Sequence, residues 1–203
     1  ATTMTPKRKK RNELPNFKRI EHVNVDVDRL LACFNLHDHQ QDGISESCGN
    51  PYLNEQYNQQ PITTVIPDED GNIRMFRGNE DERYYGEIVD RYKGTYVEEV
   101  LNMFRAPFTR SRLIVKQPGA YILPHIDYDT TYSVRYYITL KTNPWAQTAI
   151  MSKDQELPEI RHLPADGSVW FFNNGNYHSA WNMGDSLDVR MIVATNGQED
   201  LED

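Results

Sequence analysis

Between residues 112 and 195 the chain is cut by turn-forming pairs into short segments of strand character. The pairs are Pro118-Gly119, Asn143-Pro144, Asp166-Gly167, Asn174-Gly175 and Gly184-Asp185. Between them lie eight strand candidates, 112–116, 121–127, 133–140, 148–152, 159–163, 168–173, 178–182 and 189–195, rich in β-branched and aromatic residues. So many short strands must hide their edges. A double-sheet jelly roll or barrel does this by closing the sheets on one another. The spacing therefore predicts a mainly β protein with flanking helices.

The first half has a different texture. Val23, Val25 and Val27 alternate with polar residues as in a half-buried strand, and Leu30, Leu31 and Phe34 follow at helical spacing. Residues 37–60 are polar and read as a long loop, as readily a disordered stretch as a lid or substrate-recognition segment. Residues 62–66 are a short strand candidate. Thr95 with Glu98 forms a capping box ahead of Val97, Val100, Leu101 and Phe104, with Pro107 beyond, which predicts a helix outside one sheet. The chain divides accordingly into a basic tail over 1–12, a mixed α/β part over 13–110, a β core over 111–197 and an acidic tail over 198–203.

Composition bounds the function. The 203 residues suffice to bury a core without staples. The two cysteines, Cys33 and Cys48, make no disulfide framework, and no apolar run has the length of a membrane span. A cytoplasmic protein is expected, with no membrane partner. The net charge of −8 argues against a nucleic-acid binder. The one basic run, at residues 7–11, reads as a solvated, poorly ordered tail in preference to a localisation signal or a patch for anionic surfaces.

Three residues carry the chemistry. His125 and Asp127 are two apart on a strand candidate and so point the same way. His178 follows the apolar run Val169 to Phe172 and supplies a second imidazole. Two histidines and a carboxylate make a facial triad with open coordination positions, which suits ferrous iron in oxygenases. Arg190 is the only cation in its strand candidate, and an inward arginine needs an anion. His178 and Arg190 are equidistant from residue 184, so a hairpin turning there would set them face to face. Together they suggest an iron(II) enzyme using 2-oxoglutarate.

Blander readings exist for each part. A His-x-Asp pair is common at surfaces, and Tyr128, Tyr132 and Tyr136 near the ligand strand can be ordinary sheet residues as readily as an entrance. His37, Asp38, His39 and Asp42 form another metal-like cluster, in a segment with no strand to fix its geometry.

The order of these blocks resembles the aspartyl/asparaginyl β-hydroxylase group, which is similar in turn to bacterial proline hydroxylases. The resemblance spans residues 112–197 and rests on Pro118-Gly119, Pro124-His125, Asp127, the run Arg135 to Pro144, Gly167 to Phe172, His178 to Asn182, and Arg190. It implies a double-stranded β-helix, Fe(II), 2-oxoglutarate, O2, and hydroxylation of an unactivated carbon with release of succinate and CO2. It implies His125, Asp127 and His178 as iron ligands, Arg190 on the distal carboxylate of 2-oxoglutarate, and Arg135 as a further cosubstrate contact. Asp127 stands where the aspartyl hydroxylases have glycine, and Tyr137 where they tend to have histidine. The first departure moves the chain towards the proline-hydroxylase side, or towards a branch of its own, and favours a small amino-acid-like substrate over a peptide or protein side chain; the second implies a cosubstrate pocket that is not identical. A cupin-like binding module or non-redox metal enzyme on the same jelly roll is the alternative, in which a dicarboxylate clamp at Arg190 would have no use.

Overall fold

The computed structural model describes residues 6–38 and 51–202. Strands β1 (Phe17–Asn24) and β2 (Tyr57–Pro61) precede two small ribbons. These pair β3 (Thr63–Thr64) with β6 (Glu87–Ile88), and β4 (Met75–Phe76) with β5 (Asn79–Glu80). The remaining strands are β7 (Arg112–Lys116), β8 (Tyr121–His125), β9 (Val134–Lys141), β10 (Ala146–Met151), β11 (Glu159–Arg161), β12 (Ser168–Phe172), β13 (Tyr177–Asn182) and β14 (Asp188–Thr195). A six-stranded major sheet runs β1-β12-β9-β14-β7-β2, and a four-stranded minor sheet runs β11-β10-β13-β8. Every strand pairing among the described residues is antiparallel. This is the expected jelly roll, a double-stranded β-helix.

Alternation along the major strands decides what each face does. Leu113, Val115, Tyr136, Ile138, Met191 and Val193 share one core with Leu30, Val97, Val100 and Leu101 of helices α1 (Val27–Leu31) and α2 (Tyr96–Leu101). The intervening residues, Arg112, Ile114, Arg135, Tyr137, Arg190 and Ile192, line a cavity on the opposite side. Both faces are covered, so β14 is buried along its whole length. Truncating one of the core side chains to alanine costs ~2–5 kcal/mol.

The expected helix starts on Thr95, whose hydroxyl accepts from Val97 N–H at 3.3 Å. Glu98 closes the cap one residue earlier than a standard box, accepting from Gly94 N–H at 2.6 Å. The valine alternation marks only the end of a strand: β1 buries Phe17, Ile20 and Val23, and Val27 already opens α1.

Three expectations need correction. Residues 57–60, read as loop, form most of β2, an edge strand whose polar sequence hides its pairing with β7. The basic tail is not free from Arg8 onward. Arg8 Nη1 donates to Thr131 O and Asn196 Oδ1 at 3.0 Å each, and Arg11 Nη1 to Gly175 O at 3.0 Å. The hairpin about residue 184 does not exist, because β13 belongs to the minor sheet and β14 to the major one. Gly184 sits at a corner between sheets, its N–H held by Asn182 Oδ1 at 3.1 Å. His39, Asp42 and Cys48 lie outside the described residues. No helix among the described residues is long and apolar enough to cross a membrane.

Candidate metal centre and its cavity

His125 ends β8, and His178 lies opposite it on β13. The register then shifts, Ala180 facing Ile122, so β8 carries one extra residue. This bulge lets Ile122 and His125 both face inward despite their odd separation. Asp127 lies just past the end of β8 rather than within the strand. Its backbone N–H is still held by Asn174 O at 3.0 Å, and the intervening Ile126 is exposed, so alternation persists.

The three side chains converge: their ligand atoms lie within 4.8 Å of one another. His178 Nε2 is 3.3 Å from Asp127 Oδ2, and His125 Nε2 is 3.6 Å from Asp127 Oδ1. Each imidazole is oriented by a backbone carbonyl. His125 Nδ1 meets Leu123 O at 2.8 Å, and His178 Nδ1 meets Asn176 O at 2.8 Å. Carbonyls only accept, so both protons sit on Nδ1 and both Nε2 lone pairs face the same point. Outer hydrogen bonds prepare metal-binding histidines in this way. Burial pushes the His125 pKa down, favouring the neutral ring that a metal needs. For Asp127 burial acts upward but is outweighed, first by the Arg135 guanidinium, and its carboxyl stays well below the usual range.

Arg135 Nη1 donates to Asp127 Oδ2 at 2.8 Å, and its Nη2 reaches both oxygens of Glu82 at 3.3 Å. Arg110 Nη1 donates to Glu82 Oε1 at 2.6 Å. Glu82 is buried, which alone would raise its pKa. Arg135 and then Arg110 outweigh this and keep it ionised. Arg190 is 1% exposed. Its Nε donates to Asp188 Oδ2 at 3.1 Å and its Nη1 to Thr148 Oγ1 at 2.9 Å, while Nη2 is buried with no hydrogen-bond partner among the described residues. His178 and Arg190 thus face each other across the sandwich, not side by side in one sheet. Both line an inner cavity of ≈ 40 Å³. This cavity adjoins a cleft of ≈ 1670 Å³, with Tyr57, Arg112, Ile122, His125, Asp127 and Arg135 common to both.

The tyrosines separate. Tyr136 is buried in the helix-side core, tilted against Phe104. Tyr132 is buried with its hydroxyl on Asp81 at 2.9 Å. Only Tyr128 of the three lines the cleft. Tyr137 stacks on Phe172 with ring centroids 3.9 Å apart and accepts from Asn174 Nδ2 at 2.8 Å. Of the other metal-like cluster, Asp38 is described and is paired with Arg91 at 2.7 Å.

Sequence reasoning missed Glu82, Arg110, Lys116 and Asn174. Glu82 sits in a run of charged residues that reads as solvated surface. Arg110, Arg112 and Lys116 did carry a signal: their even spacing puts them on one face of β7 and the residues leading into it.

A family model described as aspartyl/asparaginyl beta-hydroxylase matches residues 94–196. No curated protein sequence matches. Among solved structures the chain is similar to a prolyl-4-hydroxylase from Pseudomonas putida, at 12% identity and TM-score 0.51, over 89% of this chain and 91% of that one. It is also similar to an oxidoreductase of the 2OG-Fe(II) oxygenase family from Burkholderia pseudomallei, at 11% identity and TM-score 0.50, over 84% and 78%. At such identities these likenesses show the fold. The family match spans half of the chain and contains both histidines, Asp127, Arg135 and Arg190, so the chain belongs to the aspartyl/asparaginyl β-hydroxylase family.

Proposed function

We propose that this protein is an Fe(II)- and 2-oxoglutarate-dependent dioxygenase hydroxylating a small amino-acid-like substrate. The observation that carries the reading is the pair of imidazoles with Nδ1 tied to carbonyls and Nε2 facing Asp127, beside the buried Arg190, whose Nη2 has no hydrogen-bond partner among the described residues. His125, Asp127 and His178 would hold the iron; two imidazoles and a carboxylate are a donor set suited to it. Arg190 would take the distal carboxylate of 2-oxoglutarate through Nη2, and Arg135 would face the cosubstrate while locking Asp127. When bound, iron and cosubstrate would supply oxidative decarboxylation to succinate and CO2, one atom of O2 entering succinate and the other a C–H bond of the substrate. The chain's own part is geometric and electrostatic. The β8 bulge aims His125, while Asp188 and Thr148 fix the Arg190 fork.

Anaerobic titration with Fe(II) and then 2-oxoglutarate tests this. A metal-to-ligand charge-transfer band in the visible is expected. Its absence, with iron bound, would favour a binding module or non-redox metal enzyme.

A further inference from the structure

The outer face of the minor sheet departs from what such a face ordinarily is. An antiparallel sheet with one side on a core and the other in water alternates apolar inward with polar outward. β1 does so, burying Phe17, Ile20 and Val23 and exposing Arg19, Glu21, His22 and Asn24. The minor sheet turns His125, Thr148, His178 and Ala180 into the inner cavity. Its alternate residues face out, and the strand register sets them side by side in rows. Tyr121 pairs with Trp181. Two residues on, Ala149 lies between Ser179 and Ile160, and Leu123 sits in the β8 bulge on the far side of Ser179. Tyr177 pairs with Met151. At the other end Met183 N–H donates to Trp145 O at 3.1 Å, which extends the ladder by one more pair. None of these outward residues is charged. The charged residues of β11 turn to the opposite side, where Arg161 lies over the rings of Phe17 and Trp170 at 5.4 and 5.6 Å and Glu159 accepts from Asn16 Nδ2 at 3.3 Å.

Trp145 is 67% exposed, Met183 57%, Ile160 50%, Tyr177 46%, Leu123 45% and Tyr121 39%. With ~150–250 Å² for a whole aromatic side chain and less for an aliphatic one, the face offers on the order of 700 Å² to water. That exceeds the ~300–600 Å² of the largest apolar patch on a typical monomer, and it approaches the ~800 Å² that each partner gives to a stable interface. We infer that this face binds the same face of a second copy, making a two-fold dimer with minor sheets back to back. Charge favours a copy over another partner. Chains of net charge −8 repel wherever their carboxylates meet, and an uncharged face lets them approach. The same face gives an oppositely charged partner nothing to read. Shape agrees. Ser179 and Ala149 are small and form a furrow between the Tyr121–Trp181 and Tyr177–Met151 rows, each ~7 Å away along the strands. A two-fold axis seats the ridges of one copy in the furrow of the other, as an isologous contact requires. Tyr177 and Met151 also line the cleft, so the second copy borders the entrance to the candidate metal centre.

Sedimentation equilibrium of the full chain across a micromolar concentration series tests this. Wild type should reach twice the mass of one chain. Leu123→Glu and Ile160→Glu each place two carboxylates of one sign in the interface, and each should raise the dissociation constant at least about a hundredfold. Met75→Glu, at an exposed apolar position on β4 away from this face, should leave the dimer unchanged. A wild type that stays monomeric throughout overturns the inference, whatever else covers the face. A dimer that survives both glutamate variants, or that Met75→Glu breaks equally, has its interface elsewhere and overturns it too. Should the glutamate variants lose their native circular dichroism, wild type still decides. Trp145 and Trp181 lie on the face, while Trp170 belongs to the major sheet. Tryptophan emission should therefore shift to the red as the dimer is diluted into monomer, and emission that stays fixed while the mass halves overturns the inference.

Discussion

Asp127 stands between two neighbours with opposite demands: Arg135 pulls on one oxygen at 2.8 Å, and the two imidazoles face the carboxylate at 3.3 and 3.6 Å. Asp127→Ala should keep the fold, weaken Fe(II) binding, and leave Arg135 to Glu82 alone; unchanged iron affinity by calorimetry would take Asp127 out of the centre. Asp127→Gly is the sharper variant, since glycine stands there in the resembling hydroxylases. Arg190→Met should weaken 2-oxoglutarate by more than tenfold with iron affinity unchanged, because losing a desolvated charge pair costs ~2–5 kcal/mol. A silent Arg190→Met with a damaging Arg135→Met would move the cosubstrate to the other strand. Asp188 gives a pH test. Burial alone would raise its pKa, but Arg190 and Lys116 outweigh it and hold the group at about 2, against an ordinary 3.8. Its contribution, on the order of 2 kcal/mol, is therefore complete above pH 3.8 and lost as pH falls through about 2. At neutral pH Asp188→Asn leaves Lys116 and Arg190 together without their carboxylate, so it should lower stability in chemical denaturation, and the gap from wild type should close towards pH 2. At this scale the sequence was informative where alternation alone decides direction, as for His125 and Asp127. It was silent where a partner comes from a distant segment, as Glu82 does for Arg135.

Among elements, strand positions were legible because turn chemistry and β-branched runs are local properties. Pairing was not. The spacing about Gly184 is compatible with a hairpin, yet β13 and β14 part to opposite sheets, and Asn182 secures the corner by donating to Lys116 O and Ser186 O at 2.9 Å each. Parity still set both His178 and Arg190 inward, so the cavity was foreseen through a wrong connection. β2 escaped because an edge strand needs no apolar face, and Tyr57 to Pro61 offers none. The turns themselves differ in how far they depend on glycine. Gly167 has φ +84°, and a Cβ there would meet Val25 O at 2.3 Å, the carbonyl of the residue whose N–H donates to Gly167 O at 3.1 Å. Gly119 has φ +87° with nothing within 4 Å. Gly119→Ala should cost only the left-handed backbone penalty of ~1–2 kcal/mol. Gly167→Ala should cost more, since β1 and the turn must also separate. Equal melting temperatures for the two variants would show that the contact with Val25 gives way freely.

On the scale of the whole molecule, the N-terminal segment joins parts of the fold that no local pattern connects. Its five cations carry no apolar periodicity, which is why it reads as a solvated tail. Its docking uses backbone groups and arginine forks on loops that exist only once the jelly roll has closed. Arg8 reaches Thr131 and Asn196, Lys9 N–H donates to Gln198 Oε1 at 2.8 Å and Lys9 O accepts from Thr130 Oγ1 at 2.9 Å, and Arg11 caps Gly175 O in the turn before His178. Lys10, Arg11 and Asn12 thereby become part of the cleft wall. Exposed hydrogen bonds contribute ~0.5–1.5 kcal/mol each at most, and their sum is reduced by the entropy of ordering the segment. Deleting residues 1–12 should therefore lower stability by about 1–3 kcal/mol, a fall of several degrees in melting temperature for a chain of this length. The cleft should respond as well: without Arg11 on Gly175 O, amide hydrogen exchange through residues 174–178 should quicken, while residues 189–195 in the middle of the major sheet keep their protection. Arg8→Ala with Arg11→Ala in the full chain should reproduce most of both effects. A deletion that changes neither melting temperature nor exchange at 174–178 would mean that the segment rests on the protein without supporting it, and the solvated-tail reading would stand after all.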